Sequence, residues 1–198
     1  MKKLALVSLA VMSLSSSLAT ANEQSEQNET HRVGAQLSAG AASYYNSSNN
    51  GNGIAQVYLY YDYQFDKTWA LELGMNGASS GDEACKGINA KYNCQNTELF
   101  FNRSIDKVEF SNFVIAAKGQ FKITENNSLY GKVGGQAYNY SMFEKGRKTA
   151  DISGFGLFLE SGWQYDWDNG LAMNVALQYI DMDELYTSSL GAGISYRF

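Results

Sequence analysis

Histidine is nearly missing from this 198-residue chain, which has one, His31. Chemistry that activates a serine through a neighbouring imidazole therefore has a single candidate base. A metal site built on paired imidazoles has no pair, and no carboxylate cluster shows the loop spacing of a cation site. Cysteine is scarce as well, Cys85 and Cys94 being the two in the chain. Positive charge is in the minority, 15 Lys and Arg against 20 Asp and Glu for a net −5, so a nucleic-acid-binding surface is not expected. Long apolar runs are absent too. The run at residues 4–14 falls short of the roughly 18–20 residues that a helical membrane span needs, and from His31 onward no segment sustains a helical apolar period.

What is present starts with MKKLALVSLAVMSLSSSLATA. Lys2 and Lys3 precede a short apolar run, and Ala19-Thr20-Ala21 has the small-x-small pattern of a cleavage site. The stretch predicts a secretory signal peptide over 1–21, cut after Ala21. Removing Lys2 and Lys3 from 15 basic residues leaves 13 against 20 acidic ones, a net of −7 on a single domain. NEQSEQNET, residues 22–30, is polar, acidic and aperiodic, and predicts a mobile periplasmic arm.

The rest alternates with a period of two. Val33, Ala35, Leu37, Ala39 and Ala41 oppose Arg32, Gly34, Gln36, Ser38 and Gly40. Val57, Leu59, Tyr61, Tyr63 and Phe65 oppose Gln56, Tyr58, Tyr60, Asp62 and Gln64. Trp69, Leu71, Leu73 and Met75 oppose Ala70, Glu72, Gly74 and Asn76. The pattern returns around Phe113–Ile123, Leu129–Tyr138, Leu157–Tyr165 and Leu171–Tyr179, and ends in SSLGAGISYRF at Phe198. Eight strands are predicted, joined by three short connections alternating with four longer ones, the latter including residues 77–107, 142–151 and 181–186.

A soluble sandwich does not suit this pattern, because the polar faces are small and Gly-rich while aromatic residues end the apolar ones. Tyr63, Phe65, Trp69, Phe121, Trp163, Tyr165, Tyr196 and Phe198 sit near the short turns. Tyr44, Tyr45, Tyr138, Tyr140, Tyr179 and Tyr186 sit near the long loops. Two aromatic bands flanking an aliphatic belt are what anchoring at membrane interfaces requires. Backbone groups in hydrocarbon must all be paired, so a sheet there closes on itself. The expected fold is all-β: a transmembrane eight-stranded antiparallel up-and-down β-barrel over 31–198, with the last strand closing against the first.

SLGAGISYRF resembles the terminal strand of bacterial outer-membrane proteins, and LYGKVGG with LESGWQYDWDNGLAMNVALQYID resembles strands five to seven of the OmpA-like eight-stranded family. The resemblance implies an outer-membrane location in a Gram-negative envelope. It also implies that Tyr196 and Phe198 form part of a signal read by the barrel assembly machinery. The peptidoglycan-binding domain of full-length relatives is not expected in this chain.

An eight-stranded lumen is just wide enough for side chains. Counted from the short turns, Glu72, Lys118, Lys132 and Glu160 fall at similar depth, with Arg32, Asp62, Lys122 and Arg197 nearer the periplasm. Buried charges persist only when paired, so an ion-pair cluster is expected to plug the lumen, as the resemblance also implies. Such a cluster either fills a narrow polar core or swaps partners as a gate for ions. His31 begins the first strand, on the periplasmic side. A Ser–His lipid-modifying site at the outer leaflet is thus not expected, nor is enzyme activity of any kind, and His31 is read as a solvated residue. No cofactor or metal is expected.

Export through an oxidising periplasm favours a Cys85–Cys94 disulfide, worth roughly 2.5–3 kcal/mol on the chain-entropy argument. That bridge would shape the long second loop, which also carries Leu99, Phe100 and Phe101, either a contact patch or packed on their own loop. Lys145, Arg147 and Lys148 lie in the third long loop, placed to meet lipopolysaccharide phosphates. The expected role is a monomeric membrane anchor in outer-membrane lipid that presents surface loops, possible mediators of attachment to a host or another cell. A low-conductance pore is the alternative, and a lipid A-modifying enzyme the third reading.

Overall fold

The structure is a computed structural model and describes residues 30–45, 53–80, 99–100, 103–104, 107–144 and 146–198. Eight strands form the barrel: β1 (His31–Tyr44), β2 (Gly53–Gln64), β3 (Trp69–Ser80), β4 (Lys107–Lys122), β5 (Asn127–Glu144), β6 (Arg147–Asp166), β7 (Leu171–Met182) and β8 (Leu185–Arg197). Each pairs antiparallel with its neighbours in sequence, and β8 closes on β1. A two-residue ladder, Leu99–Phe100 with Arg103–Ser104, stands apart from the barrel.

Register fixes the shape. Partners traced from Arg32 run through Asp62, Glu72, Ala116, Gly134, Phe158, Ile180 and Thr187, and return to β1 at Ala42. The path climbs from position 32 to position 42, a stagger of ten residues. Such a stagger tilts the strands and leaves an interior that side chains can fill.

The three short turns share one device, a short polar side chain that accepts a backbone N–H two or three residues on. Asp66 Oδ1 accepts from Thr68 at 3.0 Å, Thr124 Oγ1 from Asn127 at 3.0 Å, and Asn169 Oδ1 from Leu171 at 3.2 Å. Gly170 supplies the positive φ, 82°, that the last of these turns needs.

The outer ends differ from the sequence expectation in two places. Residues 142–151 are not a loop: β5 and β6 stay paired to Glu144↔Arg147 and turn at Gly146, φ 72°. Arg147 and Lys148 thus lie on a strand. Residues 181–186 are likewise paired to Met182↔Leu185, with Asp183 at φ 65° in the turn. In both places the polar composition that looks like loop belongs to strand standing in water. β3 also runs past Asn76 to Ser80 for the same reason.

Two polarity regimes follow along the barrel axis. In the lower part Leu59, Leu73, Ile115, Val133, Val175 and Ile194 face outward and are exposed, forming an apolar belt of the kind expected to meet lipid around a polar lumen. Higher up the order reverses. On β4 the outward residues change from Phe113 to Ser111 and Glu109, while Phe110 and Val108 are buried inside. On β5 Asn139 takes the outward positions while Tyr138, Tyr140 and Met142 are buried. Tyr44, Tyr138 and Tyr140 therefore do not anchor at the interface; they pack inside with Ile54, Ile180, Met182 and Leu185. The outer tyrosines that do face out are Tyr45, Tyr179 and Tyr186, with Tyr45 and Tyr179 hydroxyls 2.8 Å apart.

Candidate functional site

Lys132 projects from the middle of β5 into the lumen and is fully enclosed. An ammonium removed from water demands compensation by charge and by hydrogen bonds. Its Nζ lies 2.6 Å from Glu72 Oε2 on β3 and 2.8 Å from Glu160 Oε1 on β6. The carboxylates are held in turn. The Tyr58 hydroxyl donates to Glu72 Oε1 at 2.5 Å and the Tyr130 hydroxyl to Glu160 Oε1 at 3.0 Å. Gln178 Nε2 donates to Glu160 Oε2 at 3.0 Å.

Three rings surround the same ammonium, with centroids 4.6 Å away for Tyr60, 5.3 Å for Tyr130 and 5.4 Å for Tyr58, in range for cation–π attraction. Glycine makes the room. A side chain at Gly34 would collide with Tyr60, one at Gly74 with Tyr58, and one at Gly162 with Tyr130. The tyrosines lie flat across neighbouring strands at the places where those strands lack a Cβ.

Charge steps from this cage toward the short-turn end of the barrel. Lys118 Nζ bonds Asp62 Oδ2 at 2.8 Å, and Asp62 pairs in register with Glu72. At the mouth Arg32 reaches Ser195 Oγ at 2.8 Å and Asp166 Oδ1 at 2.5 Å. Arg32, Asp166, Lys122 and Arg197 line a vestibule of about 640 Å³ that also reaches Lys67 and Trp167. Above the cage comes a layer of amides, Asn76 donating to Gln56 at 3.1 Å and Asn112 to Gln136 at 2.5 Å. Over that layer the apolar core of the outer half packs across the lumen.

The structure thus brings Glu72, Lys132 and Glu160 into contact and gives Lys118 a different partner, Asp62: Lys118 pairs in register with Ala70, two positions below Glu72, and the stagger of the barrel sets it level with Asp62 across β3. His31 is not a freely solvated residue: Nδ1 meets the Tyr61 hydroxyl at 2.6 Å, and the ring packs on Tyr61, Tyr63 and Phe198. Tyr196 and Phe198 stack on each other at 6.5 Å on the closing strand. Lys148 Nζ is 2.6 Å from Asp151 Oδ2, and Arg147 is exposed beside the β5–β6 turn. Leu99 and Phe100 belong to the two-residue ladder. Cys85, Cys94, Phe101 and Lys145 lie outside the described residues.

Sequence reasoning missed the tyrosine cage and the apolar cap. The cage had a signal, three inward tyrosines each near an inward glycine on an adjacent strand. The cap had one as well, since Val108, Phe110, Tyr138, Tyr140 and Met142 keep strict alternation but on the face that is polar lower down. Among the described residues no three histidine, cysteine or carboxylate side chains are grouped to hold a metal.

The pattern of the outer membrane protein beta-barrel domain matches residues 6–198. No curated protein matches the sequence. Among solved structures, neisserial surface protein A is similar at TM-score 0.64 and 13% identity, over 85% of this chain and 97% of that one. Ail, the attachment invasion locus protein of Yersinia pestis, is similar at TM-score 0.57 and 18% identity, over 85% and 97%; it has also been solved with the heparin analogue sucrose octasulfate. OprG of Pseudomonas aeruginosa is similar at TM-score 0.52 and 12% identity, over 85% and 96%.

Proposed function

This chain belongs to the outer membrane protein β-barrel family and lies in the outer membrane, and we propose that it serves there as an anchor presenting a rigid outer surface for attachment to other cells or host surfaces. One observation carries the reading: the strands do not stop at the lipid belt. β4, β5 and β6 continue beyond it, and Val108, Phe110, Tyr138, Tyr140 and Met142 form an apolar core with Tyr44, Ile54, Ile180, Met182 and Leu185 in the outer half of the lumen. A barrel needed only as a plug in lipid has no use for a second core outside. Attachment is the word in the name of Ail, a structural neighbour, and a sulfated polysaccharide of the kind its bound analogue represents is a reasonable first ligand to try. In this reading the chain is not an enzyme and works as a monomer. The signal peptide is removed after Ala21, Cys85 and Cys94 form a disulfide, and Tyr196 and Phe198 guide assembly.

The test is binding of whole bacteria displaying the protein to epithelial cells and to immobilised sulfated polysaccharide. The intact barrel is compared with one whose residues 81–98 are replaced by a short Gly-Ser link, at matched surface levels. Binding by the intact form that falls on replacement supports the reading. Binding by neither form above an empty strain removes it.

A second reading, a low-conductance pore, draws on the ladder of charges from the vestibule to Lys132. Its test is planar-bilayer conductance, with Glu72→Ala and Lys132→Ala as the variants that must change any step. The apolar cap above the amide layer leads us to expect no unitary conductance from the intact barrel.

A further inference from the structure

The short-turn mouth of the barrel is charged unevenly around its rim. Arg197 on β8 and Arg32 on β1 stand side by side, Lys67 follows in the β2–β3 turn, and Lys122 ends β4. The acids come next in the ring, Glu125 in the β4–β5 turn, then Asp166 at the end of β6 and Asp168 just beyond it. Asp166 is already engaged, by Arg32 at 2.5 Å and by Gln164 at 2.8 Å. Lys67 and Lys122, both exposed, form no ion pair with another described residue. A basic arc thus runs from β8 through β1 and the β2–β3 turn to β4, along the cavity of about 640 Å³.

The chain enters the barrel inside that arc. Thr30 lies two positions before Arg32, on the same side of the pleat. Its carbonyl accepts from the Gln64 N–H at 2.7 Å, and it lines a smaller cavity together with Arg32, Lys118 and Arg197. The ladder goes no further. The N–H groups of Phe65 and Asp66, next along from Gln64, both donate to the Trp69 carbonyl inside the turn. On the other side His31 and Phe198 exchange the last pair of backbone bonds, at 3.3 and 2.9 Å. Residues before Thr30 therefore have no strand to join among the described residues, and side chains are what can hold them.

Those residues are NEQSEQNE, 22–29, with Glu23, Glu26 and Glu29 and no basic side chain. Eight residues reach about 26–29 Å when extended. Eight strands spaced about 4.8 Å apart and tilted make a barrel roughly 16 Å across. The segment is thus long enough to follow the arc from Thr30 as far as Lys122.

We propose that residues 22–29 dock on the basic arc of this mouth, with Glu29 beside Arg197 and with Glu26 and Glu23 reaching Lys67 and Lys122. The occupant is a segment of the same chain, and it is recognised by charge. Glu125, Asp166 and Asp168 repel it from the far side of the rim and confine it to the arc. Each exposed ion pair is weak by itself. The tether at Thr30 makes the contact intramolecular, at an effective concentration in the millimolar range. Docked, the segment covers the vestibule and sets its carboxylates between the solution and the Arg32–Asp166 pair. The inference goes beyond the attachment reading, which concerns the opposite end of the barrel, and its failure leaves that reading untouched.

The experiment uses the full exported chain, labelled with the heavy nitrogen isotope, in nanodiscs of phosphatidylcholine, a surface without net charge. Backbone order parameters are measured by NMR for residues 23–29. At low ionic strength they should lie above about 0.6, the value below which backbone counts as flexible. In about 1 M salt, where the screening length falls to about 3 Å, they should drop below it. Lys67→Glu with Lys122→Glu, two exposed changes, should free the segment at low salt. Adding Glu23→Lys with Glu26→Lys to that variant should restore the order. Unchanged amide shifts along β5 show that each variant is folded. Order parameters below about 0.6 at low salt in the unaltered chain overturn the proposal. Order that survives high salt or the double lysine reversal overturns it too, because apolar or backbone contacts would then hold the segment. A loss that the fourfold reversal fails to undo also overturns it, since the lysines would then act through the shape of the rim and not through charge.

Discussion

The same barrel wall does opposite jobs at its two ends. In the lower half the inside is polar and the outside apolar, so Lys132, Glu72 and Glu160 must satisfy one another while Ile115 and Val133 meet lipid. In the outer half Phe110, Tyr140 and Met142 fill the inside while Glu109, Ser111 and Asn139 meet water. β4 keeps one register with both its neighbours throughout; the period of two continues unbroken and only the solvent changes. Burial is therefore solved by ion pairing below and by ordinary hydrophobic packing above, two solutions with different costs.

The largest effects come from violating either solution. Lys132→Met leaves Glu72 and Glu160 buried without their cation and should destabilise the barrel by about 3–5 kcal/mol, read as a lower urea midpoint of unfolding in lipid vesicles. Adding Glu72→Gln and Glu160→Gln should recover most of that loss. If the triple variant stays as weak as the single one, the cluster does more than satisfy itself. In the outer half Phe110→Ala should cost about 3–5 kcal/mol by opening a cavity, with no change in any ion pair.

A sharper contrast uses one face of one strand. Ile115→Arg places a charge in the lipid belt and should cost about 2–4 kcal/mol, whereas Ser111→Arg, on the same face of β4, should cost about 0–1 kcal/mol. Equal penalties would mean that the belt extends to Ser111. Gly74→Ala should matter for a different reason: it displaces the Tyr58 ring from Lys132 and weakens the Glu72 pair, by about 1–3 kcal/mol.

The smallest effect lies at the hairpin. A hydrogen bond from Lys148, with others from Asn139 and Ser141, holds Asp151 below the ordinary carboxylate range, above the lipid belt. A depressed folded value contributes stability at pH above the unfolded value and loses it as pH falls through the folded one. Amide exchange at the β5–β6 tip should therefore quicken on acidification below the ordinary carboxylate range, and Asp151→Asn should remove that dependence. Because the side chain is exposed, global unfolding should hardly move.

The barrel was legible because lipid forces a strict period of two, and Leu71, Leu73 and Met75 against Glu72 and Gly74 can be read from a single strand. The depth of Glu72, Lys132 and Glu160 was legible by counting from the turns. Lys118 was not, since counting along strands ignores the stagger that brings Asp62 alongside. The outer half was misread because polar residues such as Lys148, Thr149 and Asp151 look like loop when the outside is assumed to be lipid. Nothing local in Tyr138 or Tyr140 distinguishes a ring at the interface from one inside; the difference lies in whether their neighbours on the other face are Val133 or Asn139.

The most direct measurement is nitroxide accessibility along the outward face of β4 in lipid nanodiscs, one label at a time at Ala117, Ile115, Phe113, Ser111 and Glu109. The account predicts collisions with oxygen dominating through Phe113 and collisions with a water-soluble nickel chelate dominating from Ser111 onward. A lipid-type signal continuing to Glu109 would place the outer apolar core within the membrane and contradict it.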